Sequence, residues 1–144
     1  LKETVLYLKS KGYRVDGIGW QGHLMNNQGL KQFVENLDEE LKKLSDLIDW
    51  AHSNKLEFHI TELDYYNNGE NNIFNSVEKQ AEVYQKLMKL SQEKSKNGLV
   101  TVNFWSMGER KSSRGLKGHY MSLYDNDTIP TKTYQVVKNF INFN

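Results

Sequence analysis

Two carboxylates stand two residues apart at the end of a segment with strand character. The segment Leu56–Asp64 contains Phe58 and Ile60, which suit a pleated, half-buried surface. We expect this strand to break off on Glu62 and Asp64, because an Asn-Asn-Gly turn signal follows directly. Carboxylates at the end of a buried strand are where α/β folds place their chemistry. The pair is therefore a candidate acid–base site, and the alternative is two solvated loop acids.

Polar and aromatic side chains also follow two further predicted strands. Gln21 ends a segment that begins at Tyr13, and His23 lies in the predicted loop behind it. Trp105 ends a segment that begins at Leu99. In a parallel sheet the three strand ends lie at the same edge, so these side chains would gather with the two carboxylates in one cleft.

Glycoside hydrolysis is the chemistry that such a set suits. A retaining glycosidase uses one carboxylate as nucleophile and a carboxylic acid as proton donor, about 5–5.5 Å apart. Glu62 would be the nucleophile, while Asp64 would hold His23 so that its ring donates to Glu62 and keeps it ionised. Trp105 would give a sugar ring a flat apolar face, and Gln21 would hydrogen-bond a hydroxyl or the nucleophile. The structural alternatives are a turn-capping role for the histidine and a core position for the tryptophan.

The elements that must position these residues alternate along the chain. Strand starts near Tyr13, Leu56 and Leu99 are evenly spaced, with helical patterns before, between and after them. This order predicts parallel strands joined by crossover helices. Residues 106–129 show no clear periodicity, and a loop of that length is usually functional.

Two capping patterns predict where the middle helices begin. Asn36 is followed by Glu39, and Asn75 is followed by Glu78, which is the spacing of a capping box. We therefore expect the Asn36 and Asn75 side chains to cap those helices.

Composition limits the function classes. The 144 residues fit one domain, and 38% apolar with 26% charged residues is typical of a globular chain. A formal net charge of +1 gives no electrostatic reason to expect nucleic acid or an anionic membrane as a partner. Cysteine is absent and the four histidines are scattered, so we expect neither a bound metal nor a cofactor.

Three motifs in order resemble glycoside hydrolase family 10, the endo-β-1,4-xylanases. Val15–Leu24 is similar to the sixth strand of that family's barrel, His59–Asp64 to the seventh and Val102–Trp105 to the eighth. The closing segment resembles the family through Asp125, Pro130, Lys132 and Tyr134. The resemblance extends over nearly the whole chain.

The resemblance implies a fold and a set of roles. The fold would be α/β, the C-terminal three strand–helix units (strands 6–8) of a (β/α)₈ TIM barrel. Glu62 would be the nucleophile with His23 and Asp64 as its hydrogen-bonded support, and Gln21 and Trp105 would line the substrate subsite. Xylan or xylo-oligosaccharide would be the substrate, and the protein would be extracellular.

Two departures from the family pattern bear on function. Glu109 stands near a position where the family carries Asp, and Ser112–Ser113 replaces a Ser-Trp pair. The first five strands, including the acid/base Glu of the fourth, have no counterpart in the 144 residues. We therefore expect residues 1–144 to be the C-terminal portion of a single catalytic domain, completed by an N-terminal part on the same or a separate chain and inactive alone. The alternatives are a non-catalytic carbohydrate-binding α/β fragment and a barrel glycosidase that acts on another β-glucan.

Overall fold

The computed structural model describes residues 1–24, 28–67, 76–105, 107–108, 110–111, 119–121, 123–125 and 128–141. Within these ranges helices and strands alternate through the first two thirds of the chain. The elements are α1 (Lys2–Ser10), β1 (Gly17–Trp20), β2 (His23–Leu24), α2 (Gln28–Glu35), α3 (Leu37–Ser53), β3 (Glu57–Asn67), α4 (Val77–Lys94), β4 (Val100–Phe104), β5 (Arg110–Lys111), β6 (His119–Met121) and α5 (Lys132–Ile141).

A parallel sheet with β3 at its centre forms the core of the fold. β1 pairs with one edge of β3, with Gly17 opposite Glu57, and β4 pairs with the other edge, with Val100 opposite Phe58. The long helices α3 and α4 connect these strands, which is the crossover arrangement that parallel pairing requires. The prediction of an α/β fold with parallel strands is confirmed.

Packing of the helices against β3 supplies the apolar core. Phe58 and Ile60 are fully buried, and they share one hydrophobic cluster with Ile48 of α3 and Leu87 of α4. Burying each such side chain contributes about 1.5–3 kcal/mol. The alternate residue His59 is only half-buried, so β3 has one apolar face towards the helices and one polar face.

A register shift interrupts β3 between Ile60 and Leu63, the segment that contains Glu62 and precedes Asp64. Ile60 pairs with Val102, but the next pair joins Leu63 to Phe104, so β3 has one more residue here than β4. Such a bulge changes the direction of the side chains that follow it. The strand's alternation accordingly ends, and Leu63, Asp64 and Tyr65 are buried in succession.

The predicted end of this strand is wrong. β3 continues through Asn67, and Glu62 and Asp64 lie within it rather than after it. The extension is held by β6, which pairs antiparallel with β3 and places Tyr65 opposite Met121. The strand therefore extends further than expected, because a distant segment pairs with the backbone of its last residues.

The first strand also differs from its prediction. β1 covers Gly17–Trp20, and His23 lies in β2, a two-residue strand that pairs parallel with β3, rather than in a loop. The expected cap at Asn36 is correct in position only, since its side chain donates to the Gln32 carbonyl instead of capping α3. α4 begins after Ser76, whose hydroxyl accepts from the Lys79 backbone N–H, while Asn75 lies outside the described residues.

None of the helices in the described part of the chain has the length and apolar character needed to cross a bilayer.

Candidate active site

The imidazole of His23 lies between two carboxylates on β3. Its Nδ1 is 3.0 Å from Asp64 Oδ1, and its Nε2 is 3.1 Å from Glu62 Oε2. The Asp64 side chain is 3% exposed, whereas those of His23 and Glu62 are each 25% exposed. Glu62 is therefore the acid that faces solvent, and the histidine connects it to a buried acid behind it.

Backbone pairing between β1, β2 and β3 sets this arrangement. The Glu62 N–H donates to the Gln21 carbonyl at 2.8 Å, the Asp64 N–H donates to the Gly22 carbonyl at 3.4 Å, and His23 is the register partner of Asp64. Gly22 has φ +78, and a Cβ there would lie 3.1 Å from the Ile60 side chain. The residue before the histidine must therefore be glycine for both conformational and steric reasons.

The contacts define where protons can sit. An ionised carboxylate only accepts hydrogen bonds, and a neutral imidazole donates from one nitrogen only. When Glu62 and Asp64 are both ionised, His23 must be an imidazolium to donate to both. A positive charge beside the exposed acid stabilises its ionised form, which is the form that a nucleophile requires.

Trp105 provides an exposed aromatic surface next to this group. Its ring meets the His23 ring edge-on, with centroids 5.7 Å apart at 86°. Its backbone N–H donates to the Leu63 carbonyl at 3.0 Å, and the residue is 51% exposed. The alternative of a core position for Trp105 is therefore wrong, and the indole offers an open apolar surface beside the solvent-facing acid.

Gln21 contributes its backbone rather than its amide. The residue is exposed, and within the described residues only its carbonyl contacts the site, through the Glu62 N–H. A role for the Gln21 side chain in binding stays a prediction. Glu109, Ser112 and Ser113 lie outside the described residues.

A buried polar group on α4 and α5 was not anticipated from the sequence. Gln80, Tyr84 and Thr133 are each at most 2% exposed. Burial raises the pKa of the Tyr84 phenol, and the nearby Asp64 carboxylate raises it further. The only sequence signal was an amide on the inward face of α4, one turn before the tyrosine.

Among the residues that the structure describes, no group of three or more His, Cys, Asp or Glu side chains is placed to hold a metal ion.

Comparison with known proteins decides the family. The family model described as "Glycosyl hydrolase family 10" matches residues 1–140. The chain belongs to glycosyl hydrolase family 10. The resemblance carried by the three strand motifs is thereby confirmed.

Relatives within family 10 include two curated bacterial proteins. The endo-1,4-beta-xylanase A of Thermoanaerobacterium saccharolyticum is 33% identical over 108 residues, covering 74% of this chain and 8% of that protein. The exoglucanase XynX of Acetivibrio thermocellus is 32% identical over 108 residues, covering 74% of this chain and 9% of that protein.

The fold of this family 10 chain also matches solved structures. Xylanase 10B from Thermotoga petrophila, determined in complex with xylobiose, aligns with a TM-score of 0.64 and 26% identity, over 97% of this chain and 40% of that one. The structural neighbours are family 10 TIM-barrel xylanases. The chain therefore spans about two fifths of such a structure and less than a tenth of the two curated relatives.

Proposed function

We propose that this chain is part of a retaining endo-1,4-β-xylanase that hydrolyses internal β-1,4 bonds of xylan, with Glu62 as nucleophile. The observation that carries the proposal is the hydrogen-bonded series Glu62–His23–Asp64 beside the exposed Trp105, in a chain of family 10. This series presents a solvent-facing carboxylate with an imidazole partner behind it.

We infer that residues 1–144 form the C-terminal portion of one TIM-barrel catalytic domain, with β1, β3 and β4 as its strands 6–8. Three parallel strands and a 40% share of a related xylanase structure support this placement. The remaining strands would come from an N-terminal part on the same or a separate chain. That part would carry the acid/base Glu, so this chain alone would not hydrolyse xylan.

The proposed reaction proceeds in two steps. The Glu62 carboxylate attacks the anomeric carbon, forming a C–O bond as the glycosidic C–O bond breaks, and the acid/base carboxylic acid of the N-terminal part protonates the leaving oxygen. Water, deprotonated by that same group, then displaces Glu62 and releases the sugar. His23 and Asp64 keep the nucleophile ionised and oriented between turnovers.

Xylan is the proposed substrate because two relatives are named xylanases and one of them holds xylobiose. Trp105 would pack against a sugar ring, and the Gln21 amide would hydrogen-bond a hydroxyl. Since xylan is an extended polymer, the protein would act outside the cell.

A second candidate substrate is another β-glucan. It is favoured by the relative named an exoglucanase, which is 32% identical to this chain. Release of reducing sugar from xylan and from mixed-linkage glucan under equal conditions separates the two substrates.

A joined barrel tests the proposal. Residues 1–144 are fused to the N-terminal three fifths of the Thermotoga petrophila xylanase 10B, and the product is assayed on an aryl xylobioside. We expect turnover by the joined barrel and none by the 144-residue chain. Glu62→Gln should lower kcat by a factor of about 10³ or more, while xylotriose binding persists.

The control is Glu57→Gln, which removes an exposed carboxylate at the other end of β3 and should leave kcat unchanged. Added azide should restore turnover to Glu62→Ala and give a glycosyl azide of inverted anomeric configuration, because azide then takes the place of the missing nucleophile. Full turnover by the isolated chain, or by the Glu62→Gln barrel, contradicts the proposal. Retained sugar binding without any hydrolysis in the parent barrel indicates a non-catalytic binding fragment.

A further inference from the structure

A groove between β1 and the helices that cover it is lined by apolar side chains. Trp20 of β1 and Phe33 of α2 stack there, with ring centroids 6.2 Å apart at 19°. Leu44 and Leu47 of α3 complete the apolar lining, and the groove has a volume of about 220 Å³. Leu44 is buried, and the other three side chains are half-buried. Apolar surface that is gathered at one place and stays open to water marks a position where another apolar surface packs.

The rim of the groove is charged, but its charges are paired with one another. Glu40 and Lys43 border the groove, and Lys43 Nζ lies 2.9 Å from Glu40 Oε1 and 3.0 Å from Glu39 Oε1. Each rim charge therefore already has a partner of opposite sign on the same helix. The volume also lies below the range of about 300–1,000 Å³ that is typical of small-molecule pockets. The groove thus favours an apolar surface of protein as its occupant over a charged or drug-sized ligand.

The groove follows one face of α3. Its four lining residues on this helix are spaced three and four residues apart, which places them on one side of the helix: Glu40, Lys43, Leu44 and Leu47. Trp50 comes one helical turn after Leu47 and continues the same face. The groove is therefore the first half of a longer stripe on α3, and the contacts of the second half show which kind of element packs on it.

The helix α1 lies along the second half of this stripe. The Lys2 ammonium is 5.3 Å from the centre of the Trp50 ring, and the Lys9 ammonium donates to the Asn54 carbonyl at 2.8 Å. The earlier residue of α1 meets the earlier residue of α3, and the later residue meets the later one, so the two helices run in the same direction. If α1 were extended backwards as a helix, it would run along α3 towards Leu47 and enter the groove.

We propose that the groove is the docking site of a helical segment that continues α1 on the N-terminal side of Leu1. The proposal rests on the proposed function, because this segment would be the last helix of the N-terminal part of the barrel, and it places that part on the same polypeptide. Trp50 comes about ten residues after Glu40, so a helical segment of similar length, roughly 15 Å, would fill the groove. Val5 is the buried residue of α1, so the segment should carry apolar side chains at helical spacing before it.

An extension of the 144-residue chain tests the proposal. About ten residues are added directly before Leu1, with leucines at the positions that face the groove and alanine, glutamate and lysine elsewhere. The matched control has the same composition, but its leucines stand at the solvent-facing positions. We expect the groove-facing extension to raise the midpoint of thermal unfolding by about 4 °C or more, because it buries apolar surface on both partners. The solvent-facing extension should leave the midpoint nearly unchanged.

Tryptophan fluorescence reports on the groove itself. The chain has three tryptophans, so in a Trp105→Phe background the emission comes from Trp20 and Trp50. Both indoles are half-buried, and the groove-facing extension should remove water from them. We therefore expect the emission to shift to shorter wavelength and quenching by acrylamide to fall. The solvent-facing extension should leave both signals at their values in the chain without an extension.

Two leucines of α3 separate the groove from the rest of the helix. Leu47→Ser changes the groove lining, whereas Leu41→Ser changes another half-buried leucine that does not line it. Leu47→Ser should remove most of the gain in midpoint, and Leu41→Ser should lower the midpoints of the extended and the original chain alike and keep the gain. Equal midpoints for the two extensions, or a gain that survives Leu47→Ser, overturn the proposal. A dimer that persists in the extended chain and dissociates in Leu47→Ser, measured by sedimentation, assigns the groove to a second copy and also overturns it.

This proposal and the proposed function fail in different ways. The extension carries no acid/base residue, so its effect on the midpoint does not depend on Glu62. If the joined barrel loses turnover on Glu62→Gln but the groove-facing extension does not stabilise the 144-residue chain, only the docking site is lost. If the Glu62→Gln barrel stays active while the extension stabilises the chain, the catalytic role is lost and the docking site stands.

Discussion

His23 and Asp64 are partners in two ways, across the backbone ladder of β2 and β3 and through a 3.0 Å side-chain hydrogen bond. The ladder fixes the position of the histidine Cα, and the hydrogen bond to Nδ1 fixes the rotation of its ring. The remaining nitrogen, Nε2, is thereby presented to Glu62. Such double constraint is how a site holds a side chain ready before substrate arrives.

Removal of the His23 side chain should destabilise the chain more than removal of the His59 side chain, which also lies in a strand. His23→Ala removes the hydrogen-bond partner of Asp64 Oδ1 in the buried carboxylate, and we expect a loss of about 2–3 kcal/mol in the free energy of unfolding. The control is His59→Ala, since His59 is bonded to Thr101 and Glu57 and is similarly exposed, but its carboxylate partner is open to solvent. Urea unfolding measures both.

A loss below about 1 kcal/mol for both histidine variants contradicts this account. The double variant His23→Ala with Asp64→Asn should recover part of the stability, because it removes the buried charge along with its partner.

The two glycines with positive φ offer a matched pair of substitutions. Gly12 and Gly22 have φ +79 and +78, but a Cβ at Gly12 meets nothing within 4 Å, whereas one at Gly22 lies 3.1 Å from Ile60. Gly12→Ala should cost about 1 kcal/mol through backbone strain alone. Gly22→Ala should cost more and should also disturb His23, so that the joined barrel loses activity as well as stability.

Thermal unfolding and the aryl xylobioside assay on both glycine variants check this. Equal losses of stability, with activity kept by Gly22→Ala, would show that the backbone before the histidine adapts without moving the ring.

Trp105 should contribute to binding rather than to stability. The residue is 51% exposed, so Trp105→Ala should change the midpoint of urea unfolding very little. Loss of a flat apolar surface beside Glu62 should raise the KM for xylo-oligosaccharides about tenfold in the joined barrel. Met107→Ala, at a residue that is 56% exposed and two positions away, is the control and should leave KM unchanged.

An unfolding midpoint that drops sharply in Trp105→Ala, with KM unchanged, would instead assign the indole to packing. Calorimetric titration with xylotriose gives the same answer without relying on turnover.

Alkaline pH should unfold the chain through two buried tyrosines. Burial raises the pKa of the Tyr84 phenol and that of the Tyr65 phenol above the ordinary value of about 10. A raised folded-state pKa contributes stability that is complete below the unfolded value and is lost as pH rises beyond it. The free energy of unfolding should therefore fall steeply above pH ~10.

Tyr84→Phe and Tyr65→Phe should each flatten that fall, because the variant has no phenol to ionise on unfolding. Urea unfolding at a series of alkaline pH values measures the slope. A slope that is the same in the parent and in both variants contradicts the assignment to these two tyrosines.

The site was predictable because parallel strands bring residues of neighbouring strands together. Glu62, Asp64 and His23 follow from three strand-like segments and the rule that parallel strands share an edge, and the family resemblance named the same residues. The structure places His23 within hydrogen-bond distance of both acids, as that rule suggested. Their catalytic roles stay predictions.

The missed features depend on contacts between distant parts of the chain. β3 continues to Asn67 because β6 pairs with its last residues, and no local sequence pattern indicates that partner. The N-cap of α4 is Ser76. The sequence also offers the capping pair Asn75 and Glu78, one residue earlier, and the prediction was based on that pair. The Gln80–Thr133 hydrogen bond joins residues on two helices, and sequence periodicity carries no information on such a pairing.

Because of the bulge in β3, the geometry of this site depends on the number of residues between Ile60 and Leu63. Phe58, Ile60 and Glu62 are alternate residues, so in a regular strand their side chains would point to the same face. Glu62 would then face the apolar helix layer, as Phe58 and Ile60 do. The single extra residue between Ile60 and Leu63 breaks this alternation, so Glu62 does not have to face the helix layer. We therefore expect that an insertion or deletion between Ile60 and Leu63 would redirect the Glu62 side chain even if every other contact of the strand were kept.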